Sequence, residues 1–243
     1  ILGYLCINLE YQQYPTIGAF RRTPVAVQMT LEEFQQRDHA PTLDGREVGA
    51  LVTVPAAPMR DAYAYVPPAY WQGATLPVMV LLSGSPGSPM GWFTDGQADD
   101  IADAYQAEHG GASPIVVGVD GTGSTTGNPA CVDGPQLQMQ TYLAEDIPAL
   151  IKETFRVNQD QHTWTIGGLS YGGTCSLQVV ANAPESYGTF LDFSGEPEPS
   201  LGSHDKTVNE MFDGDEEAFR AVNPASLLVK AAGSHTYEGI AGR

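Results

Sequence analysis

The chain has 243 residues, 42% of them hydrophobic and 16% charged, with 11 Lys and Arg against 29 Asp and Glu and a formal net charge of −18. That length and composition suit one α/β domain with a full core. So acidic a surface repels phosphate backbones and anionic lipid headgroups, which excludes nucleic-acid binding and docking on lipid through a basic patch.

The segment from Ile1 to Ile7 is apolar, has no basic residue ahead of it and is too short to span a bilayer. It reads either as the tail of a membrane helix that begins upstream or as a buried N-terminal segment. Residues 1–45 read together as a juxtamembrane or adaptor segment. Within it Thr30 caps a short helix with Glu33 as its capping-box partner, and Asp38 to Gly45 is a linker. The remainder, residues 46–243, reads as a single α/β domain. It starts with two strands, 47–54 and 61–66, that alternate as an antiparallel pair at a sheet edge. Two continuous apolar runs, 78–82 and 115–119, read as central strands buried on both faces, joined by a crossover helix over 97–109. A second helix covers 141–155, with Pro148 expected to kink it. A strand at 163–167, a helix over 173–180 and a strand at 189–194 follow. The acidic stretch from Asp205 to Val222 is helical, either a cap over the site or a solvated helix at the rim. Strands alternating with helices mean a mainly parallel sheet with right-handed crossovers.

The strongest chemical signal is Gly168-Leu169-Ser170-Tyr171-Gly172. It reads G-x-S-x-G between a strand and a helix, the sharp turn that presents a nucleophilic serine in α/β-hydrolases. The competing reading is a serine that merely caps its own helix. At such a turn the N–H of Tyr171 is placed to stabilise an oxyanion, and the loop Ser83-Gly84-Ser85-Pro86-Gly87-Ser88-Pro89 offers a second donor, assigned to the Ser85 N–H. Three cysteines, Cys6, Cys131 and Cys175, leave at least one unpaired within the chain. Cys175 lies five residues after Ser170, and Cys131 sits in a Gly/Pro-rich loop that can approach it, so the two are either disulfide-bonded or buried thiols. No metal site is expected: there is no H-E-x-x-H and no Cys-x-x-Cys, and the carboxylates Asp99-Asp100 and Asp213, Asp215, Glu216 and Glu217 read as solvated acid. No cofactor is expected.

Four segments occur in a telling order: Pro67-Pro68-Ala69-Tyr70, Leu81-Leu82-Ser83-Gly84-Ser85-Pro86-Gly87, Gln140 through Pro148, and Gly168-Leu169-Ser170-Tyr171-Gly172-Gly173. In this the chain resembles the esterase family that contains esterase D (S-formylglutathione hydrolase), enterochelin esterases and the mycolyltransferases. It is most similar to actinobacterial membrane-anchored members, whose elbow also reads as Gly168 to Cys175 does. The likeness covers roughly residues 46–243 and implies an α/β-hydrolase fold, a mainly parallel central sheet with helices on both faces, cut short before the last strands. It implies Ser170 as nucleophile with the Ser85 and Tyr171 amides as oxyanion hole. It also implies a membrane anchor upstream of residue 1 and an extracytoplasmic location.

The family places its acid after the seventh strand and its histidine after the eighth. Tyr237 to Ala241 begins that seventh strand, so both residues are expected beyond Arg243. Among the histidines present, His39, His109 and His162 suit the surface. His204 and His235 are the remaining in-chain candidates, with Asp192, Glu196 or Glu198 as acid. The expected activity is hydrolysis of a small-molecule, lipid or glycan ester through an acyl-enzyme on Ser170. The alternatives are transfer of the acyl group to a sugar hydroxyl, or a non-catalytic hydrolase-like domain that binds a partner.

Overall fold

The computed structural model describes residues 24–231 and 238–242. The readings of Ile1–Ile7 and of His235 lie outside the described residues. The main sheet has eight strands: β1 (Ala26–Thr30), β2 (Gly49–Val54), β3 (Ala62–Val66), β4 (Val78–Leu82), β5 (Ile115–Val119), β6 (Thr165–Leu169), β7 (Thr189–Phe193) and β8 (Glu238–Gly242). Their spatial order is β1-β2-β3-β5-β4-β6-β7-β8. Every neighbouring pair is parallel except those made by β3, which runs antiparallel to both β2 and β5. β8 is the seventh strand counted from Gly49.

Period-two alternation divides the strands between two layers. Ala50, Val52 and Val54 of β2, Val78, Val80 and Leu82 of β4, and Ile115, Val117 and Val119 of β5 face one core. Leu51, Tyr65, Leu81 and Val116 point the other way, onto Phe93 and Ala102. Helices cover both faces. The larger core receives α1 (Leu31–Gln35), α4 (residues 139–154) and α5 (Tyr171–Asn182). The smaller receives α2 (Gly91–Thr94) and α3 (Ala98–Glu108).

Four local expectations change. The β2–β3 pair is antiparallel, with Ala50 opposite Val66, but it is not at the edge: β1 lies outside it, with Ala26 opposite Gly49. β1 buries only Ala26 and Met29 and so carries no period-two signal. It falls within the stretch read as an adaptor. α1 has the Thr30–Glu33 capping box. Pro148 does not simply kink its helix. α4 runs as Met139–Thr141, a π-helical turn Tyr142–Asp146, and Ile147–Thr154 with the proline in the new first turn. Proline has no N–H and crowds the carbonyl four residues back, and the wider turn relieves both. Residues 205–222 form two helices, α6 (His204–Phe212) and α7 (Glu216–Val222), followed by α8 (Pro224–Ala231). Asp213 and Gly214 both have positive φ and break the run, and Asp215 then caps α7 by accepting from the Glu217 and Ala218 amides. Finally, Asp99 is buried rather than solvated.

Candidate active site

β6 ends at Leu169 and α5 begins at Tyr171, so the chain reverses at Ser170 alone. Ser170 sits at φ 55° and ψ −117°, a conformation an L-residue adopts only when its surroundings impose it. Its N–H donates to Phe193 O at 2.7 Å, and its carbonyl accepts the Thr174 N–H at 3.0 Å. The flanking glycines are steric necessities. A Cβ on Gly168 would overlap the Gly172 backbone, and one on Gly172 would overlap Leu82 O of β4. Ser170 does not bond the first amides of its helix as a cap would. The Ser170 side chain stands instead at the exposed lip of a cleft of about 250 Å³.

Ser85, Ser170 and Tyr171 line that one cleft, with Asn128, Ala130, Thr174, Ser194 and Glu196. The loop from Ser83 to Pro89 passes so close to the serine that a Cβ on Gly84 would lie 3.5 Å from Ser170 Cβ. The opposite wall comes from the loop after β5. Tyr171 Oη donates to Gly121 O of that loop at 2.8 Å, and burial raises the phenol's pKa, so it stays a donor. Cys131 at the loop's far end and Cys175 on α5 form a disulfide, both fully buried, with Cα atoms 5.3 Å apart. Ala130 and Cys131 are both held at positive φ there.

Beside the cleft, on the far side of the 83–89 loop, lies a groove of about 540 Å³ lined by Ser83, Trp92, Asp95 and the half-exposed Leu169. Phe93, next to Trp92 on α2, is buried in the core. A third cavity of about 550 Å³ separates residues 122–137 from Lys206, Glu210 and Met211 of α6. Asn128 lines both this cavity and the serine cleft.

The family model described as Putative esterase matches residues 59–240. The chain belongs to that family. An uncharacterized protein of Corynebacterium glutamicum is 57% identical over 251 aligned positions, which take in 98% of this chain and 59% of the relative. The chain thus spans about three fifths of that relative's length. An S-formylglutathione hydrolase from Agrobacterium tumefaciens superposes with a TM-score of 0.61 at 22% identity, over 74% of this chain and 68% of the other. The feruloyl esterase module from Clostridium thermocellum, solved with sinapinate, superposes with a TM-score of 0.57 at 14% identity, over 90% and 74%. At these identities the two structures establish a shared fold, the α/β-hydrolase fold of esterases.

Within this esterase-family frame, no histidine lines the serine cleft among the described residues. His204 Nε2 pairs with Glu216 at 2.9 Å and its ring packs edge-on against Phe219. His39 pairs with Asp38, and His109 stacks on Tyr105. His162 is exposed in the turn before β6, where its N–H bonds Asp160. Of the acid candidates, Glu196 alone lines the cleft. Asp192 accepts the Gly195 N–H at 2.8 Å, and Glu198 accepts from Asn223 at 2.9 Å. Asn128, Ser194 and Ser200 line the cleft unforeseen. Asn128 Nδ2 donates to Ser200 O at 2.9 Å, a contact across 72 residues that no local pattern carries.

Proposed function

We propose that this chain carries the nucleophile and oxyanion hole of a serine ester hydrolase. The observation that carries the reading is the Ser170 elbow: a strained, exposed serine hydroxyl at the N-terminus of the 12-residue α5, sharing one cleft with Ser85. Family membership and the shared fold support it.

In this scheme Ser170 Oγ attacks the ester carbonyl carbon and gives up its proton to a histidine outside the described cleft residues. The carbonyl oxygen becomes an oxyanion, which accepts from the Ser85 and Tyr171 N–H groups. The Tyr171 amide is in the first turn of α5, where backbone N–H groups lack intrahelical partners and the helix dipole favours negative charge. Collapse of the intermediate breaks the C–O bond and releases the alcohol, which takes the proton from the histidine. Water then repeats the attack on the acyl-enzyme and frees the acid. The Cys131–Cys175 disulfide supports placing the reaction in an oxidising, extracytoplasmic compartment.

A fluorophosphonate probe on the full-length protein tests the reading. Labelling that disappears in Ser170→Ala, with ester turnover down at least about 10⁴-fold, is the expected result. Equal labelling of Ser170→Ala would overturn it. Incubating ester with a sugar and finding acylated sugar rather than free acid would move the assignment to acyl transfer.

A further inference from the structure

A single arginine, Arg60, eighteen positions before β4 begins at Val78, reaches the 83–89 loop. Arg60 and Asp120 form a forked pair. Nε donates to Asp120 Oδ2 at 2.9 Å and Nη2 to Oδ1 at 2.7 Å. Asp120 is fully buried and Arg60 is about a quarter exposed. The remaining nitrogen, Nη1, donates to Gly87 O at 3.0 Å, inside the loop that carries Ser85. Nη2 also donates to Thr122 Oγ1 at 2.7 Å.

Asp120 has a second set of partners. Its Oδ1 accepts the N–H groups of Thr122 and Gly123, each at 3.0 Å, which fixes the start of the loop after β5. Thr122 Oγ1 donates to Ser124 O at 2.7 Å, and Thr125 O next to it accepts the Gly87 N–H at 2.9 Å. Gly87 is therefore held through both of its flanking peptide groups, its carbonyl by Arg60 and its N–H by Thr125. Both holds lead back to the one buried ion pair.

We propose that Arg60, seated by Asp120, is the positioning residue that fixes the oxyanion loop. It sets the Ser85 amide against Ser170 without touching substrate. The proposal rests on the reading of Ser85 as an oxyanion donor. Donors catalyse only when held where negative charge develops, so a loosened loop weakens transition-state binding more than ground-state binding. A buried pair that served stability alone would leave the rate per folded active site unchanged.

The test uses full-length protein, with fluorophosphonate titration to count active sites. Arg60→Lys keeps the charge over Asp120 but gives up the fork and the bond to Gly87. It is expected to lower kcat per titrated site at least tenfold while KM changes less than threefold. Affinity for a trifluoromethyl ketone, which forms an oxyanion on Ser170, should fall in parallel, with binding of the product acid unchanged. Thr122→Val leaves the ion pair in place and cuts the tie to Ser124. It should lower kcat several-fold in the same direction, which gives a readout even if Arg60→Lys does not fold. Wild-type kcat per titrated site in Thr122→Val, or in a folded Arg60→Lys, would overturn the proposal. Persistent labelling of Ser170→Ala would instead overturn the hydrolase reading on which it rests.

Discussion

A serine at φ 55° and ψ −117° requires neighbours without side chains, and the chain supplies them at Gly168 and Gly172. The two obstacles are backbone atoms: the Gly172 carbonyl group for Gly168, and Leu82 O of a central strand for Gly172. Backbone in the middle of a sheet cannot yield as a flexible side chain can, so Gly172→Ala should destabilise the fold by about 3 kcal/mol. Gly73 makes the comparison. It has φ +90° and nothing within 4 Å of a built Cβ, so Gly73→Ala meets only the left-handed penalty of about 1–2 kcal/mol. Urea unfolding of the two variants checks this, and equal costs would mean that the elbow glycines are not sterically required. The same constraint explains why the elbow is legible in the sequence. Its geometry is enforced over five consecutive residues, so its signature is local. The Arg60–Asp120 pair spans 60 positions and has no such signature.

Elements announced by continuous apolar runs, β4 and β5, read correctly, as do the capping box of α1 and the parallel crossovers. β1 leaves no period-two pattern in the sequence because an outer strand with one neighbour buries too few side chains to alternate. The split between α6 and α7 is hidden in the sequence because Asp213-Gly214 looks like more acid in an acidic run, although Asp and Gly are the residues that accept positive φ. That split creates its own contact: His204 at the start of α6 pairs with Glu216 at the start of α7. The bond to Glu216 raises the His204 pKa above its usual 6.5. The folded pKa exceeds the unfolded one, so this contribution is fully present below about pH 6.5 and is lost as pH rises through the folded value. A ¹H–¹⁵N titration should find the His204 midpoint above 6.5, and Glu216→Gln should return it toward 6.5. An unmoved midpoint would mean that the contact does not persist in solution. The disulfide ties two other elements, the loop after β5 and α5, across 44 residues. Closing a loop of that length restricts the unfolded chain by about 2–4 kcal/mol. The double variant Cys131→Ser/Cys175→Ser should lose that much in a denaturant titration. A loss below about 1 kcal/mol would show that packing alone holds the loop.

Across the whole molecule, the sheet order sets what the sequence could and could not reveal about the cleft. β4 and β6 are adjacent, so the loops that leave them, 83–89 and the elbow, meet above the sheet edge, and both carry local Gly/Ser signals. The third wall, with Asn128, and the fourth, with Ser194, Glu196 and Ser200, come from loops whose sequences mark them only as loops. Topology alone brings them to Ser170. The same topology buries Asp120 at the end of β5 beneath the cleft, which gives the molecule a defined response to acid. With a net charge of −18, protonating surface carboxylates relieves self-repulsion, so the acid loss of stability must come from carboxylates that the fold holds ionised. Asp120 is one. Burial pushes its pKa up, but the bonds from Arg60 and the backbone amides outweigh burial and hold it below the usual 3.8. The folded pKa lies below the unfolded one, so the stabilisation is present above about pH 4 and is lost as pH falls through the folded value. At neutral pH Asp120→Asn leaves the Arg60 charge without its partner, which should cost about 3 kcal/mol. The gap between wild type and Asp120→Asn should stay constant from pH 7 to 5 and narrow below pH 4, where the wild-type carboxylate takes up its proton. Urea midpoints at pH 7, 5, 4 and 3 measure that gap. Two curves that fall in parallel would assign the acid transition to other carboxylates and leave the clamp at Gly87 insensitive to pH.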